Sequence, residues 1–320
     1  MVLLQVRNLK TYFFTQRGVV RAVDGVDLSL NDGETLGIAG ESGCGKSTLA
    51  YSLIRLVPPP GKIIDGEILY RGKNILALDE EAFRKEIRWK EISMIFQGAI
   101  NSLNPMLTIG DQIAEVFITH EGCSRKEVYE KVKELLKWVG IDPMRARSYP
   151  HELSGGMKQR VMIAMALALK PKVLIADEPT TALDVIVQAQ IMNLLKRIKN
   201  EFKTSIILIT HDLSLIAEIA DRVAIMYAGK IIEQGSSDEI FENAAHPYTR
   251  ALIGSIPRLY GELKELTFIP GSPPDLLVPP VGCRFSPRCP YTFEPCGKEE
   301  PPKIYIGVDH YVSCWLYAKR

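Results

Sequence analysis

Short apolar runs that end in glycine-rich or polar turns recur along the chain at 34–39, 92–97, 173–178 and 205–209, and they read as buried strands. Before them, residues 3–9 and 20–30 predict strands, the second rich in valine and alternating apolar with polar. A helix is expected from Lys46 to Leu56, closed by Pro58-Pro59-Pro60-Gly61. Gly66 to Tyr70 predicts another strand and Asp79 to Lys90 a helix. From Ile100 to Tyr149 the texture turns to polar amphipathic helices, with Val128, Val132, Leu135, Leu136 and Val139 at helical spacing. Further helices are expected over Val161–Leu169 and from Asp184 to Phe202. Arg222 to Gly235 predicts a hairpin turning at Ala228-Gly229-Lys230, and Ser237 to Ser255 a helix interrupted at His246-Pro247. Beyond Pro257 closely spaced prolines exclude long helices, and such a tail buries little apolar core unless something staples it.

Strands alternating with helices make an α/β pattern, and the turn after the third strand carries its chemistry. Gly40-Glu41-Ser42-Gly43-Cys44-Gly45-Lys46-Ser47-Thr48 lies between an apolar run and a helix start, the context a phosphate-binding loop requires. Gly40, Gly43 and Gly45 let backbone N–H groups of the loop, from Ser42 and Cys44 to Thr48, converge on phosphates. Lys46 would reach the β- and γ-phosphates and the Ser47 hydroxyl would ligate Mg²⁺, so the ligand expected is ATP or a similar triphosphate.

Three later segments fit the same chemistry. The run Val173–Ala176 ends in Asp177 and Glu178: Asp177 is placed to hold the magnesium, directly or through water, and Glu178 to polarise the attacking water as general base. His211 follows a strand C-terminus, where α/β sites lie, and is a candidate for the γ-phosphate. Ser154-Gly155-Gly156 opens an apolar helix whose unpaired N–H groups suit an anion, although by itself Ser154 reads more readily as an ordinary N-cap. Tyr12, Phe13 and Phe14, expected between the first two strands, offer a ring to stack on a purine or to pack beneath the sheet.

Composition then narrows the class. With 39 basic and 38 acidic residues the net charge is +1, and no global field favours nucleic acid or anionic lipid. The apolar run Val161–Leu169 stops at Lys170, far short of the roughly 20 residues that span a bilayer. Arg7 and Lys10 interrupt the first apolar residues before a signal-peptide core forms, so a cytosolic protein is expected, with any membrane role exercised through a partner. Cys44 and Cys123 are expected to be unpaired, and the other four cysteines fall in the last 38 residues, a cluster that in a reducing compartment points to a metal centre rather than disulfides.

The succession of phosphate loop, Gln97, Leu153-Ser154-Gly155-Gly156-Met157, Asp177-Glu178, Leu183-Asp184 and His211 resembles the ATP-binding subunit of ABC transporters over roughly residues 1–255. The resemblance implies an ABC-type nucleotide-binding domain: a P-loop, RecA-like α/β core with an antiparallel β subdomain and a helical subdomain at about 100–160. By it, Gln97 senses the γ-phosphate and magnesium, Ser154 to Met157 contact the ATP bound to an opposite subunit, Asp184 links the two sites, and His211 positions the γ-phosphate. The adenine would stack on Phe13 or Tyr12. His246-Pro247-Tyr248-Thr249-Arg250-Ala251-Leu252, Ile269-Pro270-Gly271-Ser272-Pro273-Pro274 and Gly282-Cys283-Arg284-Phe285-Ser286-Pro287-Arg288-Cys289-Pro290 are similar to the C-terminal extension of dipeptide and oligopeptide importer ATPases, which places an extension at 256–320. The family implies membrane permease partners, a second ATPase chain (a different one more often than an identical one), an external peptide-binding protein and the cytosolic membrane face. A soluble ABC ATPase, a nickel or metal-complex importer and a cluster-bearing ATP switch are the competing readings.

Cys283, Cys289, Cys296 and Cys314 are spaced C-x5-C-x6-C-x17-C, without the tight C-x2–4-C pairs of structural zinc sites. Four thiolates on a proline-rich loop, with Cys289-Pro290 as in some ferredoxin motifs, suit a 4Fe–4S cluster. The family resemblance points the same way; zinc and unligated thiols are the alternatives.

Overall fold

The computed structural model describes residues 1–98, 102–255 and 269–318, apart from the side chains at 125 and 126. Ile100, where the helical insert is expected to begin, and Pro257, where the tail's composition shifts, lie outside the described residues. In chain order the strands are β1 (Val2–Thr15), β2 (Gly18–Asn31), β3 (Thr35–Ala39), β4 (Gly61–Tyr70), β5 (Lys73–Asn74), β6 (Ile92–Ile95), β7 (Val173–Asp177), β8 (Ser205–Ile209), β9 (Arg222–Tyr227), β10 (Lys230–Ser236), β11 (Lys303–Tyr305) and β12 (Tyr311–Ser313). The helices are α1 (Lys46–Leu53), α2 (Glu80–Ala82), α3 (Ile109–Glu121), α4 (Arg125–Trp138), α5 (Gly155–Leu167), α6 (Val185–Phe202), α7 (Leu213–Ile219), α8 (Ser237–Asn243), α9 (Pro247–Gly254) and α10 (Glu294–Lys298).

The chain divides into two compact units, Met1–Leu76 with Leu208–Arg320, and Ala77–Ile207. In the first, β2-β1-β4-β5 form an antiparallel sheet. Its inward face carries Leu4, Val6, Leu9, Leu28 and Leu30, nearly or fully removed from water and each contributing about 1.5–3 kcal/mol. A second sheet runs β11-β12-β10-β9-β3, with β3 parallel to β9 and the remaining pairs antiparallel. All five residues of β3 are buried, as a strand covered on both faces requires. The tail joins this sheet through Glu233 opposite Val312. Glu233 is fully buried there, accepting from Ala245 N (2.6 Å), His246 N (2.9 Å) and His310 Nε2 (2.8 Å), so one carboxylate ties β10, the start of α9 and the tail together.

In the second unit β6 and β7 are parallel, and α3, α4 and α5 pack against one another. Val128, Val132, Leu136 and Val139 are fully buried on the expected stripe, while Leu135 is half-buried. Thr108 caps α3 by accepting from Asp111 N at 3.1 Å, and Gly122 closes it in a left-handed conformation.

Two expectations change. β1 runs on to Thr15, so Tyr12, Phe13 and Phe14 are strand residues rather than a connecting loop. The helix expected at Asp79–Lys90 is a single turn, Glu80–Ala82, followed by a wider π-type turn over Phe83–Ile87 that turns Phe83 and Ile87 inward. The tail, for which the sequence excluded only long helices, also contributes two strands: three residues each is too short for period-two alternation to register.

Candidate functional site

In the first unit, Gly40, Gly43 and Gly45 all have positive φ (153°, 77° and 108°). A Cβ at Gly40 would come 2.1 Å from Met226 O, and one at Gly45 2.1 Å from Ala22 O, so those two positions admit glycine alone. A Cβ at Gly43 would meet nothing within 4 Å, which marks the loop's open side. Lys46, only 6% exposed, folds back on its own loop and donates to Gly40 O (2.7 Å) and Glu41 O (3.0 Å). Cys44 lies beneath the loop; burial pushes its thiol up, against the opposing charge of Lys46. Ser47 and Thr48 follow in the first turn of α1, whose N-cap Gly45 supplies no side-chain acceptor. The exposed turn at Ser42 and Gly43 and the uncapped N–H groups together fit a polyphosphate.

Tyr12 and Phe13 take opposite faces of β1. Tyr12 Oη donates to Asp24 Oδ1 at 2.5 Å, and the phenol is pushed up to about 12, first by burial and then by that bond. Burial alone would raise the Asp24 carboxyl; the Tyr12 bond and the charge of Arg284 outweigh it and hold the group below its ordinary value. Phe13 shares the face of Thr11, whose hydroxyl bonds Ser52 of α1 at 2.8 Å. Its ring crosses Gly61, where a Cβ would stand 2.7 Å from Phe13 Cε1 and 2.6 Å from Val57 Cγ1. His211 is exposed just beyond the end of β8.

In the second unit, Asp177 is fully buried at the end of β7 and Glu178 turns the chain with φ 46°. Gln97 Nε2 and Thr181 Oγ1 both donate to Glu178 Oε2, each at 2.9 Å. This convergence brings together two residues expected at the site, Gln97 and Glu178. Thr181 was given no role from the sequence; a hydroxyl three residues after the acid was the available signal. Ser154 caps α5, accepting from Met157 N at 3.4 Å, and Asp184 caps α6, accepting from Val187 N at 2.9 Å. Gly155 begins α5, and Gly156 has no room for a Cβ, which would meet Val187 Cγ1 at 2.6 Å.

The tail cysteines carry no disulfide. Cys296 and Cys314 are buried, Cys283 N donates to Cys296 O at 2.8 Å, and burial pushes the Cys283 and Cys314 thiols up to about 11. Among the described residues, however, no three His, Cys, Asp or Glu side chains stand where they could hold a metal ion. The 4Fe–4S centre expected at Cys283, Cys289, Cys296 and Cys314 therefore finds no support in this arrangement.

The sequence profile of the ABC transporter family matches residues 23–181, and that of the oligopeptide/dipeptide transporter C-terminal region matches 232–296. The dipeptide transport ATP-binding protein of Bacillus subtilis is 49% identical over 320 residues, covering 99% of this chain and 95% of its own. The oligopeptide transport ATP-binding protein of Salmonella typhimurium is 49% identical over 306 residues, covering 95% of this chain and 91% of its own. Among solved structures, an ATP-binding cassette captured as a post-hydrolysis dimer bound to ADP and Pi matches with a TM-score of 0.66 and 29% identity, over 73% of this chain and 98% of that one. No described helix is long and apolar enough to cross a membrane. The chain belongs to the ATP-binding proteins of the ABC transporter family, and it carries the C-terminal region of the oligopeptide and dipeptide transporters.

Proposed function

We propose that this protein is the ATP-hydrolysing subunit of a dipeptide or oligopeptide importer, working at the cytoplasmic face of a membrane beneath permease subunits. The observation that carries the reading is the near full-length similarity to dipeptide and oligopeptide transport ATP-binding proteins, extension included. The printed peptide-transport relatives favour this reading over a soluble ABC ATPase or a metal-complex importer. Tagged protein recovered from membranes should bring integral membrane partners with it and hydrolyse ATP. Recovery from the soluble fraction alone, without membrane partners, would overturn the transport role.

Within the ATP site, Lys46 and the loop N–H groups bind the phosphates, Ser47, Gln97 and Asp177 would hold Mg²⁺, and Glu178, steadied by Gln97 and Thr181, accepts the proton of the attacking water. Magnesium when bound neutralises phosphate charge; the chain's own groups orient the triphosphate and take the proton. His211 contacts the γ-phosphate. Ser154, Gly155 and Gly156 of a second ATPase chain, a similar but different one, complete the site, and Asp184 connects the two; the dimeric cassette bound to ADP and Pi supports a paired arrangement. Crosslinks that placed Ser154 over the triphosphate of its own chain, with full turnover by a monomer, would refute it. Peptide selection belongs to the permease and an external binding protein.

Of the two rings, Phe13 is the adenine platform. The Tyr12 hydroxyl is committed to Asp24, and Phe13 lies on the α1 side of its strand. Phe13→Ala should raise the KM for ATP roughly tenfold, the loss of one base–ring stack. Tyr12→Phe should leave it within about twofold, since only the hydroxyl's bond to Asp24 is removed. Equal effects in a steady-state ATPase assay would reject the assignment.

The four tail cysteines hold a 4Fe–4S cluster that staples the extension. A tetrahedral zinc demands sulfurs about 3.8 Å apart, from a Zn–S bond of about 2.3 Å. The spacing C-x5-C-x6-C-x17-C on a proline-rich chain, without tight C-x2–4-C pairs, is what supports the cluster over zinc.

A further inference from the structure

We propose that Arg288, in the Cys283–Cys289 loop of the extension, is a positioning residue for the phosphate loop, acting through Glu41. This rests on the loop's assignment as the ATP site. The guanidinium makes a two-pronged contact with the Glu41 carboxylate, Nη1 to Oε2 at 2.7 Å and Nη2 to Oε1 at 3.0 Å. Its remaining donors go to Tyr227 Oη (3.2 Å), Pro270 O (2.8 Å) and Gly271 O (3.4 Å). The Arg288 side chain is 5% exposed and that of Glu41 25%, so solvent screens the pair weakly. Such a fork, with every arm occupied, fixes direction as well as charge.

Glu41 is the second residue of the loop, and three of its groups are held at once. Its N–H donates to Tyr248 Oη at 2.9 Å, its carboxylate is gripped by Arg288, and its carbonyl accepts from Lys46 Nζ at 3.0 Å. Tyr248 and Arg288 both belong to the matched C-terminal region. Phe285 locks that region in place, 2% exposed between the rings of Tyr227 and Tyr248 at 5.3 and 5.4 Å. Arg284, one helical turn before Arg288 in sequence, reaches Ala228 O and Asp24, and the next residue, Gly229, donates its N–H to Cys44 O at 2.8 Å. The extension thus braces the phosphate loop directly at Glu41 and, through the β9–β10 turn, at Cys44.

Two physical consequences follow for ATP. A glycine-rich loop held in shape before the nucleotide arrives spends less of the binding energy on ordering itself. A carboxylate inside a triphosphate-binding loop repels the ligand, and Arg288 neutralises it. Without Arg288 the Glu41 charge stays in the loop uncompensated.

The test is equilibrium binding of a fluorescent ATP analogue, displaced by MgATP, to the full chain, with thermal melting alongside. Arg288→Gln should weaken MgATP at least about tenfold (about 1.4 kcal/mol), and added salt should shrink the defect. Arg288→Lys, which keeps the charge and loses the fork, should fall between, and it also serves if the Gln variant does not fold. Glu41→Gln combined with Arg288→Gln should recover most of the loss, which a general weakening of the fold would not do. Wild-type affinity in Arg288→Gln would overturn the proposal, and so would a defect that the second substitution fails to relieve. Failure of the unaltered chain to bind MgATP would instead reject the ATP site itself.

Discussion

Glu178→Gln is expected to bind MgATP as the unaltered chain does and to hydrolyse it about 10²- to 10⁴-fold more slowly, the span attributed to a positioned general base. At about 1.4 kcal/mol per tenfold, that is roughly 3–5 kcal/mol of barrier. The substitution is nearly isosteric, and the amide oxygen still accepts from Gln97 or Thr181, which now converge on Oε2. What disappears is the carboxylate's capacity to take a proton. The backbone argues for the same role: a non-glycine residue at φ 46° costs about 1–3 kcal/mol, and such strain concentrates at functional turns. Here it turns the chain sharply after Asp177, so that the first acid stays buried in the strand end and the second is half-buried beyond it. Because hydrolysis would release the paired subunits, the variant should accumulate as an ATP-bound dimer. Single-turnover hydrolysis and size-exclusion chromatography in MgATP read the two outcomes separately. Turnover within about twofold of the unaltered chain would remove Glu178 from the role of base.

How far this arrangement was legible in the sequence depended on how local each signal is. The phosphate loop needs only nine consecutive residues and their flanks, and β3 and α1 stand where the apolar run and the Gly45-Lys46-Ser47 step put them. Asp177 and Glu178 likewise announce themselves at the end of a buried run. The extent of β1 was hidden because Tyr12, Phe13 and Phe14 interrupt the alternation, and only pairing with β2 and β4 shows the strand continuing to Thr15. Ser154 and Asp184 illustrate a different limit. Each accepts a bond from the third residue on, an ordinary cap that the sequence offered for Ser154 and not for Asp184, and any second role lies with a neighbouring subunit. Least legible were the long-range contacts. Arg288 meets Glu41 across 247 positions and Arg284 meets Asp24 across 260, and no periodicity connects residues so far apart.

Replacing Cys314 by Ser should strip the extension of its staple. Serine is almost the same size but brings a hydroxyl, so were Cys314 only a packing residue, seated in a small cluster with Ala245 and Val312, the loss would be about 1 kcal/mol and melting would fall by only a few degrees. A cluster ligand behaves otherwise. The extension has little core of its own; two three-residue strands and one five-residue helix do not hold a proline-rich chain. Losing the centre should therefore cost about 3 kcal/mol or more, the order of a lost staple in a small unit. Anaerobically prepared protein should be brown and contain iron and acid-labile sulfide, whereas Cys314→Ser should be pale and iron-poor and should be cut more readily by protease within 269–318. Nucleotide affinity should fall with it, because Arg284 and Arg288 lie on either side of Phe285 between Cys283 and Cys289 and would lose their hold on Asp24 and Glu41 together. Colourless protein carrying one zinc per chain would replace the cluster by the zinc alternative. Metal-free protein whose Cys314→Ser variant melts and binds ATP unchanged would leave the four thiols with no metal role at all.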